Sequence, residues 1–189
     1  MRLLLGAVAG VLLVSVGAVG YVRLTGLDAT VAPGAVERAV MDRLRQWAVP
    51  ADVAALVNSV PETPDILHEA TEHYADHCAQ CHGADGSGDT AMGRGLSPRP
   101  PDLRQPATQG QSDGALFHVI EKGVRFTGMP GFSTGTTEGE TASWALVRLV
   151  RRMPQWTAAE VDAVRAMQPR PPAEVRREID EERFLAGGE

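Results

Sequence analysis

The first segment of the chain is uniformly apolar. Residues 3–22 contain no charged side chain, and Arg2 and Arg23 flank them. A helix of this length spans about 30 Å at 1.5 Å per residue, which is the thickness of the hydrocarbon core of a bilayer. A cleaved signal peptide, with a shorter apolar region and a small-residue cleavage site, is the alternative. We predict a transmembrane anchor over residues 1–23, and either interpretation exports the rest of the chain.

Residues 24–63 are predicted to form a linker with one amphipathic helix. Four apolar residues in this linker recur at steps of four, four and three, which is the spacing of one helix face. They are Val36, Val40, Leu44 and Trp47. Charged residues occupy most of the other faces, and Pro50 limits the helix. We expect this helix to lean on the main domain, which we place at residues 64–168.

Helical periodicity dominates the predicted main domain. Its apolar positions predict four helices, at residues 65–80, 112–123, 141–153 and 157–167. Ser112 or Asp113 provides the N-cap of the second, and a capping box from Thr157 to Glu160 opens the fourth. Nothing in the pattern predicts a strand, so the fold class is all-α. An acidic tail follows at residues 169–189.

Two long segments of the domain lack apolar periodicity. Residues 83–111 and 124–139 are rich in Gly and in turn-forming residues. Loops of this length are uncommon in a small domain unless they wrap a ligand or perform a function. We therefore expect these two loops to enclose something.

Composition narrows the class of protein. The chain has 189 residues, 43% of them hydrophobic and 22% charged, which excludes wholesale disorder. The net charge of −6 argues against nucleic-acid binding, because there is no basic excess to neutralise phosphates. Two cysteines are too few for a fold stapled by disulfides.

The two cysteines lie in a motif that indicates cofactor attachment. Cys78-Ala79-Gln80-Cys81-His82 has the Cys-x-x-Cys-His spacing of c-type haem attachment. Two thiols three positions apart can each form a thioether to one vinyl group of the same porphyrin, and His82 then projects its imidazole towards the iron. A zinc site would need two more ligands at comparable spacing, and a thioredoxin-like pair would need a βαβ context. A plain disulfide is compatible with export, but the following histidine and the loops favour one covalent haem c.

The sixth iron ligand decides between electron transfer and the binding of gases or peroxide. Met129 lies in a Gly/Pro-rich loop, 127–132, where a methionine has no helix face to join. We predict that His82 and Met129 are the two axial ligands. Four other downstream residues are weaker candidates, because they lie close behind the motif or in helices. They are Met92, His118, Met153 and Met167.

These residues resemble the class I monohaem cytochromes c. The resemblance rests on the attachment motif with the Tyr74 helix before it, on Gly128-Met129-Pro130 and on a C-terminal helix with Trp144. It implies a helical bundle around one haem, whose N- and C-terminal helices cross with Tyr74 and Trp144 as packing. Together with the apolar N-terminus, it resembles the membrane-anchored bacterial members of the family.

The resemblance also implies a haem environment. In this family a proline carbonyl after the attachment motif accepts a hydrogen bond from the proximal histidine. Pro100 or Pro101, followed by Leu103, matches that proline, and the choice between the two stays open. Such a bond would fix the ring and tune its basicity. Three arginines are candidates to pair with haem propionates: Arg99, Arg104 and Arg125.

We therefore expect one-electron transfer and no enzymatic activity of the chain by itself. The expected location is the bacterial cytoplasmic membrane, with the haem domain in the periplasm and respiratory redox proteins as donor and acceptor. A single Arg before the anchor gives a weak positive-inside bias for this orientation. The alternatives are a fixed haem subunit of a membrane oxidase or dehydrogenase and, less favoured, a haem enzyme or gas sensor with a labile sixth ligand.

Overall fold

The computed structural model describes residues 2–170 and 172–186. Ten α-helices lie within these residues: α1 Arg2–Thr25, α2 Ala35–Ala48, α3 Ala51–Ala54, α4 Pro64–His77, α5 Ala79–His82, α6 Pro106–Gln109, α7 Asp113–Lys122, α8 Thr137–Arg152, α9 Ala158–Met167 and α10 Pro172–Leu185. Two short 3₁₀ helices, Gly93–Gly95 and Met153–Gln155, complete the described secondary structure. No strand occurs in those ranges, so the all-α prediction is confirmed.

Helix α8 is the centre of the bundle. It packs against α4 on one side and against α7 on another, and α4 also packs against α9. The apolar stripe of α8 explains this position, because Leu146, Val147 and Leu149 are all almost fully buried. Tyr74 from α4 and Val164 from α9 fill the same core.

Side-chain caps define where the main helices begin. The Ser112 hydroxyl accepts a hydrogen bond from the backbone N–H of Ala115, so Ser112 is the N-cap of α7. Asp113 instead accepts a hydrogen bond from the Arg151 guanidinium. The capping box at Thr157 and Glu160 is present as predicted, with bonds in both directions. Each cap satisfies N–H groups that the helix itself leaves free.

Helices α1 and α2 are connected but differ in character. Leu4–Thr25 spans 22 residues with a mean hydropathy of 2.1, so it is long and apolar enough to cross a membrane. None of this helix is buried in the described structure. Helix α2 forms where the periodicity predicts it. We call its four apolar residues, Val36, Val40, Leu44 and Trp47, the outer stripe, because all four are exposed. The helix therefore does not lean on the domain through its apolar face.

The aromatic packing differs from the expectation. Tyr74 does not pair with Trp144: it makes a T-shaped contact with Trp156, with ring centroids 6.1 Å apart. Trp144 stacks on Phe117 at 4.1 Å and so joins α8 to α7. The physical reason is the direction of each side chain, since Trp144 projects from the side of α8 that meets α7 rather than α4.

Packing onto the bundle begins upstream of residue 64. The side-chain amide of Asn58 donates to the backbone carbonyl of Trp144 at 2.9 Å. The Arg148 guanidinium donates to the carbonyls of Asn58 and Val60 at 3.0 and 2.9 Å. These bonds fasten the end of the linker along α8. At the other end of the chain, most of the acidic tail forms α10.

Candidate haem site

The attachment motif occupies the junction between α4 and α5. Cys78 ends α4, and its carbonyl accepts a hydrogen bond from the His82 N–H at 2.9 Å, which closes one further turn. Gly83 then leaves the helix at φ +81°, a conformation that side-chain-bearing residues rarely adopt. The Tyr74 hydroxyl donates to the Gly83 carbonyl at 2.7 Å in a buried position. The turn from Cys78 to Gly83 is therefore held by a hydrogen bond at each end.

Both thiols and the imidazole face one cleft. It has a volume of about 300 Å³, and Cys78, Cys81, His82 and Met129 all line it. The remaining lining is predominantly apolar and includes Leu96, Leu103, Leu116, Ile120, Leu146 and Val150. Cofactor pockets have this composition, with few polar groups placed among many apolar ones.

The imidazole of His82 is almost completely enclosed at its Nδ1 atom. This atom has no hydrogen-bond partner of ordinary geometry among the described residues. Burial lowers the pKa of His82, and the Pro101 backbone carbonyl opposes that shift. Burial thus favours the neutral imidazole, which is the form that can ligate a metal. Of the two prolines that the sequence leaves open, Pro101 is the one whose carbonyl contributes to this pKa.

A tight loop contact places the proline wall of the cleft. Gly88 has φ +74°, and a Cβ atom at this position would lie 2.4 Å from the Pro100 carbonyl oxygen. The Leu103 N–H donates to the Gly86 carbonyl at 2.8 Å. Pro100, Pro101 and Leu103 line the cleft as a result. A residue larger than Gly at position 88 would push this wall away from His82.

The loop that carries Met129 is bound to the end of α7. The Met129 N–H donates to the Thr127 hydroxyl at 3.1 Å, and the Met129 carbonyl accepts from the Val124 N–H at 3.0 Å. Gly123 has φ +67°, and a Cβ there would lie 2.6 Å from the Met129 carbonyl oxygen. The Phe132 N–H donates to the carbonyl of Ile120 in the last turn of α7 at 3.0 Å. The half-buried Met129 side chain is thus presented by a closely packed backbone.

A buried polar pair supports the same helix. Glu121 of α7 is 5% exposed, and its carboxylate accepts a hydrogen bond of 2.6 Å from the Ser143 hydroxyl of α8. The Glu121 carbonyl also accepts from the Ser133 N–H at 3.2 Å, just beyond the Met129 loop. Position 121 therefore ties α7, α8 and the loop together.

The weaker ligand candidates lie elsewhere. The alternative candidates are Met92, His118, Met153 and Met167. None of these four is among the described residues that line the cleft. Met92 is 46% exposed, whereas Met153 is buried in the core against Gly86. Met129 is the methionine that shares a cleft with His82.

The three arginines considered for propionates have three different positions. Arg99 lines the cleft. Arg104 is engaged by Asp102 and Asp85, at 2.8 and 3.3 Å, and does not line the cleft. Arg125 is exposed and also lies outside the lining, so the structure does not place it in the haem environment.

Sequence reasoning missed one charged residue of the cleft. Arg45 of α2 lines it, although α2 belongs to the segment that the sequence marks as a linker. Its guanidinium donates to the Asp42 carboxylate at 3.0 Å. The only signal that could have found it is its position on the polar side of α2, opposite the outer stripe.

The thiols do not have the properties of a redox pair. Cys78 and Cys81 are free in the structure. Burial raises the pKa of Cys78 to about 12 and also raises that of Cys81. Reactive dithiols instead have lowered thiol pKa values. No cluster of three or more His, Cys, Asp or Glu side chains that could hold a metal ion occurs among the described residues.

Covalent haem fits this donor set. Two thiols, an imidazole with an enclosed Nδ1 and a thioether line one apolar cleft. Comparison with protein families gives an independent result. Residues 66–150 match the family described as "Cytochrome C oxidase, cbb3-type, subunit III". The matched range contains the attachment motif, the proline wall and the Met129 loop.

Proposed function

We propose that the chain transfers single electrons through one haem c at the extracytoplasmic surface of a bacterial membrane. The family match over residues 66–150 supports a c-type haem electron-transfer domain. The observation that carries this proposal is the shared cleft of the attachment motif and Met129. Bound haem supplies a one-electron iron couple whose potential depends on its axial ligands.

Each residue of the site has a proposed role. Cys78 and Cys81 would hold the porphyrin through thioethers, and His82 and Met129 would ligate its iron. In the haem-bound protein the Pro101 carbonyl would orient the imidazole by accepting from Nδ1–H, which would leave Nε2 to ligate the iron. A thioether ligand favours ferrous iron and so raises the potential.

The apolar lining has a separate role in this proposal. It keeps water from the two ligand side chains, so that the environment of the iron changes little between oxidation states. Removing water also strengthens the electrostatic effect of each charged group near the cleft. Arg45 and Arg99 are the charged residues of the described lining, and both are positively charged.

The N-terminal helix supports a membrane location. Its length and mean hydropathy of 2.1 suit one membrane crossing, and the haem domain begins beyond a linker. A tether of this kind raises the effective concentration of the haem domain near membrane partners. We propose the cytoplasmic membrane of a bacterium, with the haem domain in the periplasm and respiratory redox proteins as donor and acceptor.

A fixed subunit of an oxidase is the second candidate. The matched family is described as a subunit of cbb3-type cytochrome c oxidase, which favours a permanent place in such a complex. The haem chemistry is the same in both cases. Extraction in mild detergent separates them, because a fixed subunit copurifies with its complex and a carrier does not.

The ligand assignment is tested with Met129→Ala in the full-length holoprotein. We expect the haem to remain covalently bound after denaturation, and we expect the thioether-to-iron band of the ferric spectrum to disappear. Met92→Ala is the matched control, because Met92 is exposed outside the cleft and its loss should leave the spectrum unchanged. A colourless denatured wild-type protein would refute covalent haem, and an intact band in Met129→Ala would refute the sixth ligand.

A further inference from the structure

Helix α2 exposes an apolar face without a partner in the described structure. The outer stripe residues are exposed to 79% at Val36, 51% at Val40, 51% at Leu44 and 84% at Trp47. They form one continuous row along the helix. A contiguous exposed apolar surface of this kind marks an interaction site.

The opposite side of α2 faces the haem domain. Arg45 lines the haem cleft and its partner Asp42 is half-buried. At about 100° per residue, Arg45 lies on roughly the opposite side of the helix from the outer stripe. An amphipathic helix that covers a protein core turns its apolar side inwards. Helix α2 instead turns its polar side towards the haem cleft, so the outer stripe is free to contact another apolar environment.

The start of α2 lies beside the end of α1. The Tyr21 hydroxyl is 3.5 Å from the Glu37 carboxylate, and a Cβ on Gly34 would lie 3.6 Å from the same hydroxyl. Tyr21 is four residues before the end of α1 at Thr25, which corresponds to about 6 Å along the helix axis. Helix α2 therefore begins at the depth where the apolar span ends.

We propose that the outer stripe lies in the interface of the same bilayer that α1 enters. This surface rests on the membrane anchor of the proposed function and adds a second contact to it. Interfacial helices bury their apolar face about 5–10 Å into the boundary between headgroups and acyl chains. Trp47 is the residue type that favours this boundary, and Arg43, next to the stripe, can extend its guanidinium to lipid phosphates. The other side of the helix, with Arg45, then faces the haem cleft.

This arrangement fixes how the haem cleft faces the membrane. The same short helix contacts lipid with one side and contributes Arg45 to the cleft with the other. The haem cleft would then lie on the side of α2 that faces away from the lipid. A redox partner in the membrane would meet the domain in one orientation.

Spin-label accessibility in the full-length holoprotein, reconstituted in lipid nanodiscs, tests the proposal. Cys78 and Cys81 are consumed by the haem thioethers, so an added cysteine is the unique site for a nitroxide. Leu44→Cys reports on the outer stripe, and Gln46→Cys is the matched control on the same helix outside it. Val14→Cys, in the middle of α1, reports on the anchor itself. The measurement is the collision rate of each nitroxide with oxygen, which enters lipid, and with a nickel chelate, which stays in water.

We expect the oxygen-to-nickel ratio at position 44 to be at least threefold higher than at position 46, and highest at position 14. Equal ratios at 44 and 46 would place the stripe in water and overturn the proposal. Low collision rates with both reagents at 44 would show a protein contact, such as a second copy of the chain, and would also overturn it. A high ratio at 14 with either result leaves the anchor intact, so failure of this inference is distinguishable from failure of the proposed function.

Discussion

The hydrogen bond between Tyr74 and Gly83 gives a sharp prediction about stability. Tyr74→Phe removes only the hydroxyl and keeps the ring, including its contact with Trp156. The lost bond is 2.7 Å long and buried, but the Gly83 carbonyl still accepts a hydrogen bond from the Gly86 N–H at 3.1 Å. The expected cost is therefore that of one net hydrogen bond, about 0.5–1.5 kcal/mol. For a domain of this size, that corresponds to a fall in Tm of roughly 2–12 °C.

Urea unfolding of the holoprotein, followed by haem absorbance, measures the change. Burial raises the pKa of Tyr74, so the hydroxyl is a protonated donor throughout the neutral range and the loss should not depend on pH there. Tyr21→Phe is the matched control, since Tyr21 is exposed and its contact with Glu37 is 3.5 Å long. We expect it to change the free energy of unfolding by less than about 0.5 kcal/mol. Equal stability of Tyr74→Phe and wild type would show that the Gly83 carbonyl does not need this bond.

Two further predictions concern charges near the cleft. Arg45→Ala should lower the midpoint potential, because a positive charge beside the haem disfavours ferric iron. We expect the redox equilibrium to shift by about two- to tenfold, and a tenfold shift is about 59 mV for one electron. Protein-film voltammetry measures the midpoint potential. Arg43→Ala is the control and should leave the potential unchanged. An unchanged potential in Arg45→Ala would show that the guanidinium does not act on the iron. The Arg104 guanidinium lowers the pKa of Asp102 to about 2, so the stabilisation from Asp102 is fully present above the ordinary carboxyl pKa and is lost as the pH falls towards 2. Unfolding at pH 2–5 should therefore be less pH-dependent in Asp102→Asn, and an identical pH profile would contradict this role of Asp102.

The cleft residues were predictable because their signals are local. The spacing of Cys78, Cys81 and His82 and the Gly/Pro context of Met129 are properties of a few consecutive residues, and the structure brings all four to one cleft. The capping box at Thr157 is equally local and is confirmed.

The features that the sequence did not reveal depend on contacts between distant residues. The bonds of Arg148 join positions 88 and 90 residues apart, and no local pattern encodes them. Helical periodicity shows that Trp144 lies on a face of α8 but not which neighbour that face meets, so its stacking on Phe117 could not be foreseen. Arg45 was missed for a related reason, since the pattern of α2 favours packing through the opposite side.

The backbone bonds of the Met129 loop have a consequence for the speed of electron exchange. Val124, Thr127 and the last turn of α7 hold the backbone on both sides of Met129. With Met129 as the proposed ligand, a sulfur presented by this hydrogen-bonded loop would need little nuclear rearrangement when an electron arrives or leaves, because the chain sets its position in advance. The activation barrier for self-exchange between two such molecules should accordingly be small.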